Sequence, residues 1–177
     1  MDSGAEVEVI ASHPLYPAWR PMVSHESLEG VVIHRGGAWI RYPKAPAIRR
    51  AVLEVWFMFH ALLRTFSIRR KVDVALPVFP PNLFFPILCM ILPKSTMRIG
   101  IVHDLQGLLA VHSNQLGRKI ISNITRFIEG KALRACDHLV FLSNAMVEQA
   151  VKAYGLSRDK CSMCYPFVTP IPRNRNS

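Results

Sequence analysis

An imidazole and a carboxylate, His103 and Asp104, directly follow the apolar run Ile99-Gly100-Ile101-Val102, and Gly107 lies three residues further on. A buried parallel strand that delivers polar groups to its carboxyl end reads this way, and in open α/β sheets ligands bind at that edge. An imidazole there can donate to a substrate hydroxyl or a phosphate oxygen, and the carboxylate can accept from a hydroxyl or orient the His. The plainer reading is that Asp104 caps the following loop and His103 is a satisfied strand-end polar residue.

Three further groups carry candidate chemistry. Tyr16 and Trp19 lie in a Pro-rich loop after another strand, where flat rings with polar tips can stack on a ligand and hydrogen-bond to it; the plainer reading, favoured slightly, is that they stiffen and pack that loop. Ser143 precedes a helix, as an N-cap or as part of an anion site at the helix start. Cys161-Ser162-Met163-Cys164 is a lone CxxC inside an expected strand, with no second ligand pair at zinc spacing, so structural cysteines and no metal are expected.

The elements that must position these groups alternate. Strands are expected over 6–11, 30–35, 72–78, 97–102, 137–142 and 161–167. Helices are expected from Pro46 to about Phe66, over 82–92 with an interruption at Pro86, over 114–135, and from Ser143 to a stop at Gly155. In the 114–135 helix, Leu116, Ile120, Ile121, Ile124, Phe127, Ile128 and Leu133 fall at helical spacing. Alternating strands and helices specify an α/β fold with a Rossmann-like, doubly wound, mainly parallel sheet. The first strand comes at once, with no Gly-rich loop before it, so either the topology differs or the first β-α unit of such a fold is missing, the second being the expectation.

The chain has 177 residues, half of them hydrophobic and 19% charged, enough for one ordinary domain with a substantial core. A net charge of +10 calls for an anionic partner: nucleic acid, an anionic membrane or a phosphorylated substrate. The basic residues are scattered and no nucleic-acid signature accompanies them, so nucleic acid is set aside. The uncharged stretch from Val74 to Pro93 has bilayer length, but Pro77, Pro80, Pro81, Pro86 and Pro93 argue against a spanning helix. No signal peptide is visible at the N-terminus, so a cytoplasmic location is expected. The Pro46–Lys71 segment joins Trp56, Phe57, Phe59, Leu62, Leu63 and Phe66 to Arg49, Arg50, Arg64, Arg69, Arg70 and Lys71. It reads either as an interfacial helix peripheral to the inner membrane face, its basic residues on anionic lipid, or as a core helix with a solvated basic end.

With these elements placed, four segments resemble the N-terminal half of a family 4 glycosyltransferase of GT-B fold, closest to the bacterial exopolysaccharide type that includes the colanic acid enzymes. Ala5 to Ser12 with Tyr16-Pro17-Ala18-Trp19 resembles that family's second strand and loop. Val72-Asp73-Val74 through Phe79-Pro80-Pro81 resembles its "P-D-V…P-P" segment, with Val72 in place of the proline. Val102-His103-Asp104-Leu105 resembles its "H-x-D-L/Q-D-L" strand end, and Asp137 through Met146 its "D-x-V-x-x-I-S-E-A-M", with Asn144 in place of the acid. The likeness covers roughly residues 5 to 168.

The resemblance implies an acceptor-side domain over 1–168, a linker or tail over 169–177, and a nucleotide-sugar-binding C-terminal domain absent from this chain. The complete enzyme would transfer a hexosyl unit from a nucleotide-sugar to a polyprenyl-diphosphate-linked glycan in polysaccharide biosynthesis. The chain alone is expected to be inactive. The donor is a substrate, and no cofactor is implied. His103 and Asp104 become catalytic candidates, and Tyr16, Trp19, Pro81, Asn82, Ser143 and Asn144 substrate-binding ones. Two alternatives stay open: a non-catalytic piece binding a membrane or partner protein, and another α/β enzyme acting on a phosphorylated small molecule.

Overall fold

The computed structural model describes residues 4–15, 18–22, 29–80, 82–109 and 116–165. Tyr16, Pro81 and the expected tail over 169–177 lie outside the described residues. The chain forms two compact units: Met1–Ala75 with Pro81–Met97, and Leu76–Pro80 with Arg98–Ser177.

In the first unit, β1 (Val7–Ser12) and β2 (Val31–Gly36) pair in parallel, from Val7 opposite Val31 to Ser12 opposite Gly36. The long helix α1 (Pro46–Ile68) begins on Pro46, whose fixed φ suits a first turn and whose missing amide has no bond to lose there. It packs on β2 through two glycines. A Cβ on Gly36 would stand 2.7 Å from the His60 ring, and one on Gly37 2.8 Å from the Trp56 ring. The two rings stack with centroids 5.3 Å apart, and His60 Nε2 lies 3.2 Å from the His34 carbonyl oxygen. A 3-10 turn (Arg69–Lys71) and the short β3 (Val74–Ala75) follow, then α2 (Phe84–Ile91). Phe84 meets Phe57 of α1 edge to face, and Phe85, Leu88 and Leu92 are buried.

The second unit holds β4 (Val78–Phe79), most of β5 (Met97–Val102), β6 (His138–Phe141) and β7 (Cys161–Met163). β4 pairs with β5, β5 with β6 and β6 with β7, all in parallel. The connections carry α3 (Gln106–Leu109), α4 (Leu116–Arg134) and α5 (Asn144–Tyr154). Phe79, Val102, Leu139, Phe141, Leu133 and Val147 form a dry centre. Gly100 is required in it, since a Cβ there would stand 2.7 Å from Leu139 Cδ2 and 2.9 Å from both Cys136 Sγ and Phe79 Cε2. Both units follow the parallel α/β pattern of a Rossmann-like fold.

Three local expectations change. The strand expected over 72–78 is two short pieces, β3 and β4, separated at Leu76-Pro77, because Pro77 has no amide to offer a ladder. Pro86 does not interrupt α2, because it falls in that helix's first turn, where no intrahelical bond is lost. On α4 the expected apolar spacing is met at Leu133 but not at Ile124 and Phe127; the side chains of Leu116, Ile120 and Ile121 lie outside the described residues. Ile124 and Phe127 are 53% and 63% exposed, while Ser122, Glu129, Ala132 and Leu133 are buried.

Candidate active site at the strand ends

Parallel pairing sends the carboxyl ends of β4, β5 and β6 to one edge, since Phe79 pairs with Val102 and Val102 with Phe141. The ladder continues one residue further, with the His103 amide donating to the Phe79 carbonyl at 3.0 Å and the Cys164 amide to the Phe141 carbonyl at 2.9 Å. His103, Asp104 and Ser143 therefore leave the sheet together. The His103 side chain is exposed and that of Asp104 half-buried. Among the described residues neither has a hydrogen-bond or ion-pair partner. Leu105, the next residue, is buried and pins the loop to the core.

Ser143 is the N-cap of α5: its backbone is extended and its hydroxyl accepts from the Met146 amide at 3.3 Å. Among the described residues nothing accepts its own proton. Asn144, the first residue of α5, is exposed.

The remaining sequence-named residues belong to the first unit. Trp19 has a left-handed backbone (φ 52°), and the Arg49 guanidinium covers its ring at 3.8 Å from the centroid. Asn82 is buried, and its backbone amide donates to Glu54 at 3.1 Å. Of the basic residues, Arg50 is engaged by Glu54 at 2.7 Å, whereas Arg64, Arg70 and Lys71 are exposed.

A profile of the Glycosyltransferase Family 4 matches residues 1–170. The chain belongs to glycosyltransferase family 4. No curated protein matches it closely enough to add a narrower assignment. Glycosyl transfer is thus the role this family 4 domain supports, and a strand-end imidazole and carboxylate suit it. Such a reaction moves a sugar between oxygens, so it needs donors for hydroxyl or diphosphate oxygens and an acceptor for a hydroxyl proton.

A second set of residues, invisible as a site in the sequence, supports this edge in the family 4 domain. Glu129 of α4 is 1% exposed, and its Oε2 accepts both the Gly107 amide at 3.0 Å and the Tyr154 hydroxyl. The Arg126 guanidinium lies 6.0 Å from the Tyr154 ring centroid, and Arg134 donates to the Tyr154 carbonyl at 2.9 Å. Burial, followed by the Glu129 carboxylate, holds the Tyr154 phenol far above its ordinary range, so it stays protonated and donates. Glu129 thus ties α3, which directly follows the His103-Asp104 turn, to α4 and α5. Gly107 permits it, since a Cβ there would stand 2.7 Å from Tyr154 Oη and 2.8 Å from Glu129 Oε2. The one signal in the sequence was an acid four residues before the core residue Leu133.

Proposed function

We propose that this domain is the acceptor-side half of a bacterial exopolysaccharide glycosyltransferase, of the type that includes the colanic acid enzymes. The complete enzyme transfers a hexosyl unit from a nucleotide-sugar held by a second domain to a polyprenyl-diphosphate-linked glycan, peripheral to the inner face of the membrane. The observation that carries this reading is the unengaged pair His103 and Asp104 at the edge where β4, β5 and β6 end. In it, His103 donates to a sugar hydroxyl or diphosphate oxygen. Asp104 accepts from the acceptor hydroxyl or orients the imidazole, and Ser143 and Asn144 contact substrate beside them. On the first unit, Trp19 with Tyr16, and Asn82 with Pro81, are assigned to substrate contacts by the same family likeness.

The test is His103→Ala in the complete enzyme. It is expected to lower kcat by about 100-fold or more, the scale of a lost proton donor or acceptor. The thermal unfolding midpoint should hold, because the side chain is exposed and bonds to none of the described residues. Transfer at the wild-type rate removes His103 from the site.

A further inference from the structure

Five large apolar residues of α1, Ile48, Val55, Phe59, Leu63 and Phe66, recur at helical spacing and fall within an arc of roughly 80°. All five are exposed, at 57%, 45%, 57%, 74% and 59%. By length and composition the segment Pro46–Lys71 could cross a membrane. The opposite side of α1, however, is already committed to its own unit. Trp56 and His60 sit on Gly37 and Gly36, Phe57 meets Phe84, and Ala61 and Thr65 are buried. Glu54 holds the amides of Asn82 and Leu83 at 3.1 Å each. A spanning helix would have to strip all of these contacts and carry Glu54 and Arg64 into hydrocarbon. Lying flat, it keeps them.

The charges on this helix favour one partner. Between residues 30 and 72 Glu54 is the sole acid, and it is turned inward onto Arg50 and the two amides. The stripe therefore runs past no outward negative charge. Arg64, Arg70 and Lys71 are exposed at its far end, and the Arg69 guanidinium lies 3.6 Å from the Phe66 ring centroid. A second copy of this chain would oppose one strongly positive surface to another, whereas anionic lipid complements both the stripe and the cations.

We propose that α1 lies in the plane of an anionic bilayer surface, with Phe59, Leu63 and Phe66 inserted below the headgroups and Arg69, Arg70 and Lys71 on the lipid phosphates. This deepens the membrane placement given above and rests on it. In a flotation assay, the full chain is mixed with vesicles of phosphatidylcholine alone or of phosphatidylcholine with phosphatidylglycerol. Wild type is expected to float with the anionic vesicles, less so as salt rises. Phe59→Ser, Leu63→Ser and Phe66→Ser, alone and combined, should weaken partitioning by roughly tenfold per side chain. Their circular-dichroism melts should match wild type, because the replaced side chains are exposed.

If wild type floats and the triple variant floats equally well, the stripe is overturned while the membrane placement stands. If wild type floats with neither vesicle, both fail. Resistance to alkaline carbonate extraction overturns the in-plane geometry in favour of a spanning helix. Self-association without flotation, abolished by the triple variant, overturns the lipid and assigns the stripe to a second copy.

Discussion

Glu129 shows how one buried residue can brace a strand-end turn without touching it. Its carboxylate takes two donors, the Gly107 amide and the Tyr154 hydroxyl, while 1% exposed. Glu129→Ala would leave both buried donors without that acceptor, and the expected loss is about 2–3 kcal/mol of unfolding free energy, read by denaturant titration. Glu129→Gln keeps a carbonyl oxygen for one donor and should lose less. If Glu129→Ala unfolds like wild type, the cluster is not a brace. The neighbouring strand end was easier to see in the sequence. An apolar run ending in His103-Asp104 announces a strand end from residue types alone, whereas Glu129 sits among apolar neighbours and gains its meaning only from Gly107 and Tyr154, 22 and 25 residues away.

At the scale of elements, local chemistry was legible where it was local. Ser143 as N-cap and Gly155 as the left-handed stop (φ 63°) bound α5 as their residue types indicate. Ser143→Ala is expected to cost about 1 kcal/mol, and Ser143→Asp to restore it, because a carboxylate also caps. Chemical denaturation of the three proteins checks this. An enzyme whose stability Asp restores but whose turnover it does not would separate capping from substrate contact. The orientation of α4 was legible only in part. Its apolar spacing names Leu133, which is buried, but also Ile124 and Phe127, which are exposed, while Ser122 and Glu129 face inward, Glu129 held there by Gly107 and Tyr154. Periodicity counts apolar residues and cannot weigh a buried hydrogen-bonded acid against them.

At the scale of the molecule, the parallel α/β order and the family were legible from the sequence, because alternation and motif order survive local error. The division into two compact units was not, since it depends on which distant segments pack together. Stability should also respond to pH through the first unit. Burial, with the nearby charges of Arg64 and His34, lowers the His60 pKa from 6.5, opposed by its backbone bonds to His34 and Ala11. As pH falls, the unfolded chain therefore takes up this proton before the folded one does. Stability from His60 is fully present above 6.5 and is lost as pH falls from there through the folded value. Melting curves across this range should show wild type losing more stability than His60→Gln; parallel curves would remove His60 as the cause.

The seating of α1 on two adjacent glycines has one more consequence. Indole and imidazole, one helical turn apart, drop onto the bare backbone of Gly37 and Gly36 like two teeth of a key. Slide the helix by one turn and either Val52 or Arg64 replaces a ring over a glycine, leaving a void or a stranded cation. The lock therefore admits one setting, and in that setting the greasy outer edge of the helix has a fixed compass bearing. A pair of residues with no side chains thus decides which way Phe59, Leu63 and Phe66 look.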